Sequence, residues 1–267
     1  MIENFFQSLE RNKVEYLLIS GQASVLYGAA TFSEDIDLWV NPTTENRDAL
    51  TKALIDCGAC YYKLTPALTT DNLRHGHGFH YVLPGAQTDP IYLDVMGNPP
   101  RAGSFAAASN TARQMETEWG AIQTIGIQPL VELKKTQRLE DYPVISKLTL
   151  AWFDQPECQH VAADLGWALQ NIFTLPELAV FFARHEAAIE LAFALGSHEL
   201  GEFGQQLQAG GETTEMIERC VNARLQARIA DWQLADRRYW RDIIRQLKEM
   251  RTLGQLMPEG ENISAAG

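Results

Sequence analysis

The chain has 267 residues, 46% hydrophobic and 21% charged, with a formal net charge of −12. This is the composition of a folded globular protein, with enough chain for one large core or two modest ones. The acidity repels a phosphate backbone at long range, which speaks against non-specific nucleic-acid binding, and the absence of any apolar run of about 18 residues predicts no membrane span.

In chain order, Ile2 to Arg11 has the apolar spacing of an amphipathic helix. It lacks the basic, apolar and small-residue succession of a secretion signal, so a cytoplasmic location is expected. Glu15 to Ser20 is a short apolar run suited to a buried strand. It breaks at Ser20-Gly21, and Gln22 to Gly28 can form a short helix. Asp35 to Val40 is a second strand, Asn41 to Thr44 a turn and cap, and Glu45 to Cys57 a helix. Leu68 to Gly78 is polar and rich in Gly and His, which predicts a loop. Phe79 to Leu83 and Ile91 to Val95 are strands joined by the turn-rich segment 84–90. Ala121 to Ile127 is a further strand, and Pro129 stands near the start of a helix, a favoured place for proline.

After about residue 145 strand signals nearly vanish. Helical spacing dominates at 156–173, 176–195 and 214–251. The expected fold class is α+β: a mixed sheet flanked by helices over 1–145, then an all-α domain over 146–257. A frayed tail is expected over 258–267.

Cys57 and Cys60 form a single CxxC, readable as a redox pair or half a zinc site, or as two small residues ending a helix. No second close pair accompanies it, so the helix-end reading is preferred. The cysteines are taken as thiols of a reducing compartment.

Ser33-Glu34-Asp35-Ile36-Asp37-Leu38 carries the most chemistry. Strand side chains alternate, so Asp35 and Asp37 share one face while Ile36 and Leu38 enter the core. Two adjacent carboxylates repel unless a counter-charge joins them, and a divalent cation supplies one. Oxygen ligands suit Mg²⁺, with Mn²⁺ as the alternative. Asp94 lies in the apolar run Ile91 to Val95 and calls for a similar reason. If its strand pairs beside the first, three carboxylates could hold two ions, or one ion and a general base. Ser20-Gly21 ahead of a helix presents backbone N–H groups to an anion, and Gly21 permits close approach. Each piece alone is common; their order and spacing are not.

These residues resemble the DNA polymerase β-like nucleotidyltransferase superfamily. Its pattern is a Gly-Gly or Gly-Ser pair, a short helix, D-x-D on the next strand and a third carboxylate on a later one. Here Ser20-Gly21, Asp35-Ile36-Asp37 and Asp94 stand at those places, over roughly residues 14 to 145. Ser20 replaces the commoner Gly, and Gln22 follows the pair. The chain looks most like the small bacterial branch that includes the abortive-infection (AbiE-type) nucleotidyltransferase toxins, whose Lys-containing helix after the core resembles Leu130 to Asp141.

The resemblance implies a nucleotidyltransferase-like fold and transfer of a nucleoside monophosphate from an NTP, with pyrophosphate released. It implies metal-binding roles for Asp35, Asp37 and Asp94, Asp94 serving as ligand or base. Ser20 and Gly21 would hold the triphosphate. Lys134 and Arg138 would neutralise phosphates, oriented by Asp141. The acceptor is open between RNA, protein and a small molecule, and a cognate antitoxin would be a partner if the chain is a toxin. The other readings are an inactive binding protein on the same fold and an antibiotic-modifying enzyme, whose cationic substrate the net negative charge would suit.

Two further clusters remain. Arg74-His75-Gly76-His77-Gly78-Phe79-His80 holds three of the six histidines. A solvated loop is preferred to a metal site, with an active-site role open for Arg74 or His80. Thr214 to Arg251 holds nine Lys/Arg against six Asp/Glu. A solvated face with intrahelical ion pairs, including those to Asp231, Asp236 and Asp242, is preferred there to a docking surface. Trp152, Trp167, Trp232 and Trp240 are read as packing groups.

Overall fold

The structure is a computed structural model describing residues 2–84, 90–210 and 213–263. The chain divides into two compact units. One comprises Met1–Leu26, Ala30–Leu133 and Arg238–Gly267, the other Tyr27–Ala29 and Lys134–Arg237. This division falls earlier than the boundary expected near residue 145, and it returns the last segment of the chain to the first unit.

The first unit holds α1 (Ile2–Arg11), β1 (Tyr16–Leu18), α2 (Ser20–Leu26), β2 (Ile36–Val40), α3 (Thr44–Asp56) and β3 (Cys60–Tyr61). It continues through α4 (Thr70–Arg74), β4 (Gly78–Leu83), β5 (Ile91–Met96), α5 (Phe105–Ser109), β6 (Arg113–Thr117), β7 (Gly120–Thr124) and α6 (Ile127–Leu133). The seven strands form one mixed sheet in the order β3-β4-β5-β2-β1-β7-β6. β2 runs parallel to β5 and β1 parallel to β7, while the remaining neighbours are antiparallel.

One face of this sheet is core. Leu18, Ile36, Leu38, Val40, Phe79, Tyr81, Leu93 and Val95 pack there with Phe5, Phe6 and Leu9 of α1 and Leu50 and Leu54 of α3. Full burial of each such side chain contributes about 1.5–3 kcal/mol. The period-2 alternation that marks the strands puts intervening residues on the opposite face: Asp37 on β2, His80 on β4, and Tyr92 and Asp94 on β5.

Several elements depart from the sequence expectation. The expected loop at 68–78 contains α4, because the Thr69 side chain accepts a bond from the Asn72 N–H at 3.1 Å and caps a single helical turn. β3, α5 and β6 are too short or too polar to announce themselves. Of the expected turn at 84–90, residues 85–89 lie outside the described residues. The tail does not fray as far as it is described. Tyr61 N–H donates to Glu261 at 3.0 Å, Ile263 N–H donates to Ala59 at 3.2 Å, and Ile263 joins the core. Backbone pairing with β3 holds residues that polar composition marks as loose; 264–267 lie outside the described residues. Cys57 caps α3 and Cys60 opens β3; both are free thiols.

The second unit is helical: α7 (Asp141–Phe153), α8 (Ala162–Asn171), α9 (Leu175–Arg184), α10 (Ala187–Ala194) and α11 (His198–Gln208), with α12 (Glu215–Thr252) contributing residues to both units. Its own core gathers Phe153, Leu165, Phe181, Phe182, Phe203 and Val221. The expected helix at 156–173 starts only at Ala162, since Asp164 accepts the N–H groups of Gln159 and Val161 and fixes the start there. The expected helix at 176–195 breaks after Arg184, where His185 turns its ring against Phe153 and Phe181.

Part of the basic run on α12 is paired, and of the expected acidic partners Asp242 takes part. Arg219 pairs with Glu215, and Arg245 with Asp242 and Glu249. Arg228 donates to Leu169 and Gln170 carbonyls, and burial lowers its guanidinium to about 10. Trp152 meets Trp167 edge-on, and Trp240 meets Tyr239. Among the described residues no helix is long and apolar enough to cross a membrane.

Candidate active site

β2 and β5 pair in parallel with Ile36 opposite Leu93, Asp37 opposite Asp94 and Leu38 opposite Val95. The apolar members of this register are fully buried and fix it, because a slip of either strand by one residue would turn that strand's aspartate into the core. Asp37 and Asp94 therefore stand one strand spacing apart, about 4.8 Å between backbones, on the face away from the core. The Asp37 carbonyl accepts the Ile19 N–H at 3.0 Å, which secures this part of β2 from its other side.

Asp35 precedes the first residue of β2. Its loop is fastened to α2: Gln22 Nε2 donates to the Ser33 carbonyl at 2.8 Å, and Ser33 packs directly on Gly21. A Cβ at Gly21 would overlap Ser33 Oγ and stand 2.8 Å from Ser33 Cβ. Packing of the Asp35 loop is thus one reason for a glycine at this position. Ser20 adopts φ 59°, an uncommon left-handed conformation for a residue with a side chain, and its carbonyl accepts Ser24 Oγ at 2.8 Å.

The Asp35 carboxyl is pushed above its usual value of 3.8 by burial and then by the charge of Asp94, and Glu34 adds to the rise. Lys63 and His80 oppose it.

His80 lies opposite Asp94 on the antiparallel pair β4–β5, and its Nδ1 is 2.7 Å from Asp94 Oδ1. A carboxylate oxygen accepts, so Nδ1 carries the proton and orients Asp94. The two side chains are 29% and 33% exposed, open enough for a ligand to reach. A buried Thr65 positions this histidine: its hydroxyl donates to the Tyr62 and His80 carbonyls at 2.6 and 3.0 Å and accepts the His80 N–H at 3.1 Å. Of the histidine-rich run only His80 meets the carboxylates. His75 bonds the Asp71 carbonyl, His77 meets Gln246, and Arg74 donates to the Pro42 carbonyl.

Lys134 and Arg138 belong to the second unit, where both serve Asp141. Lys134 Nζ is 2.8 Å from Asp141 Oδ1; Arg138 Nε and Thr136 Oγ1 reach Oδ2 at 3.1 and 2.6 Å. Burial alone would raise the Asp141 carboxyl, but Lys134, Thr136 and Arg138 together hold it below 3.8. The Lys134 side chain is only 8% exposed and that of Arg138 59%. Neighbouring Lys135 sets its ammonium 4.3 Å over the Trp232 ring.

Sequence reasoning missed Tyr62, Lys63 and Thr65, whose segment has no periodic pattern. Tyr92 was readable, since it stands two residues before Asp94 and so shares its face. Among the described residues no three His, Cys, Asp or Glu side chains already stand together as a metal-binding group. No protein-family model matches the chain, and no curated protein is similar to it in sequence.

Proposed function

We propose that this chain is a divalent-metal-dependent nucleotidyltransferase on a nucleotidyltransferase-like sheet. It moves a nucleoside monophosphate from an NTP to an acceptor hydroxyl. The observation that carries this reading is the register that sets Asp37 beside Asp94, with Asp35 close enough for its carboxyl to feel Asp94.

The donor chemistry fits Mg²⁺, which usually takes one or two protein carboxylates and completes its octahedron with water and phosphate oxygens. Such a site needs no third ligand in place before the nucleotide arrives. Asp35, Asp37 and Asp94 would hold the cation, which when bound neutralises phosphate charge. His80 would keep Asp94 aimed. In the transfer, the acceptor oxygen bonds to the α-phosphorus, and the bond from that phosphorus to the pyrophosphate bridging oxygen breaks. Pyrophosphate leaves with the electron pair, and the acceptor proton passes to a carboxylate of the cluster. Ser20 and Gly21 border this cluster through the Ser33 loop, and their assignment to the triphosphate rests on the resemblance. That of Lys134 and Arg138 rests on it as well.

The test is incorporation of labelled NTP into RNA, protein or aminoglycoside in the presence of Mg²⁺. Activity is expected in the wild type and none in a folded Asp35→Ala, Asp37→Ala double variant. Undiminished activity in that variant overturns the reading.

A further inference from the structure

Three side chains beside the carboxylates are left unused by the reading above. Tyr92 leaves β5 on the same face as Asp94, two residues away. The Tyr62 ring lies against it, centroids 4.9 Å apart and planes at 37°. Lys63 is held at φ 55° in the bend that follows Tyr62, its ammonium 4.6 Å from the Tyr62 centroid and 5.9 Å from that of Tyr92. This turn is tied to the site: Tyr62 N–H donates to the His80 carbonyl at 2.8 Å, and Thr65 bridges both residues. The Lys63 ammonium opposes the rise of the Asp35 carboxyl.

Core formation does not require this group. The adjacent Tyr61 turns inward onto Tyr81 and supplies the packing, while Tyr62 and Tyr92 stay half-exposed and Lys63 exposed. The result is a pair of partly exposed rings with an ammonium set over them, next to carboxylates that repel any anion. Stacked aromatic rings hold a base through its π-face whatever its identity, and a lysine serves a phosphate as a point charge.

We propose that Tyr62, Tyr92 and Lys63 form a seat for a nucleobase and its attached phosphate beside Asp35, Asp37 and Asp94. The proposal deepens the nucleotidyltransferase reading and rests on it for the direction of the ligand. The nucleobase belongs either to the donor NTP or to a nucleotide acceptor.

Equilibrium binding without turnover tests it, by calorimetry with the four NTPs, inorganic tripolyphosphate and single-stranded RNA trinucleotides of mixed sequence. Tyr92→Leu is expected to weaken at least one base-bearing ligand about tenfold or more. Tyr92→Phe keeps the ring and stays within about twofold of wild type, and tripolyphosphate binding is unchanged in both. Lys63→Met weakens NTPs and tripolyphosphate alike. A loss confined to NTPs assigns the seat to the donor, and one confined to trinucleotides assigns it to the acceptor.

Equal affinities in wild type and Tyr92→Leu, or no binding of any base-bearing ligand by wild type, overturns the proposal. Circular dichroism melting of each variant excludes misfolding as the cause of a loss. Tyr92-dependent binding without NTP incorporation would sink the transferase reading and leave the seat standing. Incorporation with Tyr92-independent binding would do the reverse.

Discussion

Asp35 and Asp141 are both partly or fully shielded carboxylates, and their surroundings push them in opposite directions. Around Asp35 the dominant influences are burial and a second carboxylate, with Lys63 and His80 only partly opposing them. Around Asp141 three donors converge on two oxygens, and the carboxyl falls below its usual value despite burial. On the proposed function, the first cluster is the one that shares its charge with a cation. The second is closed upon itself, as a structural fastening is. Carboxylates near basic residues read alike in a sequence; only their surroundings in the fold tell the two apart.

The comparison breaks most visibly if both clusters respond alike to mutation. Asp37→Asn with Asp94→Asn should lower NTP incorporation on the order of 10³-fold or more, the scale of losing a principal electrostatic element, while the melting temperature changes little. Steady-state incorporation and thermal melting of the same preparations decide it. Asp141→Ala should act the other way, costing about 3–5 kcal/mol of stability because Lys134 is left buried without its partner. A urea titration measures this, and a loss under about 1 kcal/mol would count against the closed clasp.

His80→Ala should reduce kcat about 10- to 100-fold, as expected for a group that orients a ligand-bearing carboxylate. His80→Asn retains a donor and should recover part of the loss. Equal rates in His80→Ala and wild type would remove the orienting role.

The acid limb of stability sharpens the contrast. A depressed carboxyl contributes stability above its unfolded value, near 3.8, and that stability is lost as pH falls through the folded value below it. Urea midpoints taken from pH 5 down to pH 2 should therefore drop more steeply for wild type than for Asp141→Asn. The smallest expected effect is at Asp35. Asp35→Asn removes a repulsion and should raise the metal-free melting temperature by roughly a degree or two, the scale of a partly exposed charge interaction. The same change should shrink any rise on adding Mg²⁺. A fall in the metal-free value would show that Asp35 is stabilised by its surroundings after all.

Much of the first unit was readable because its signals are local. Alternation in Asp35 to Val40 and in Ile91 to Val95 gave both strands and the faces of Asp37 and Asp94, although β2 begins only after Asp35, and the segment Asn41 to Thr44 marked the turn and cap before α3, the cap being Thr43. The weak elements escaped for the same reason: β3 has two residues and α5 five, too few for a period to register. The pairing of residues 261–263 with residues 59–61 joins segments about 200 positions apart, and nothing in either announces the other.

The sequence by itself determined which side chains could act. The apolar partners of Asp37 and Asp94 compel each aspartate to the same kind of face, since a strand has only two. Tertiary structure alone decided that β2 and β5 are neighbours, that their register sets Asp37 opposite Asp94, and that His80 and the Tyr62–Lys63 turn close on the same place. Alternation fixes a direction within one strand, whereas adjacency depends on how the whole sheet buries its apolar face. The partnership of Lys134 with Asp141 lies between these limits: the two are seven positions apart, but only folding joined them with Thr136 and Arg138 around one carboxylate.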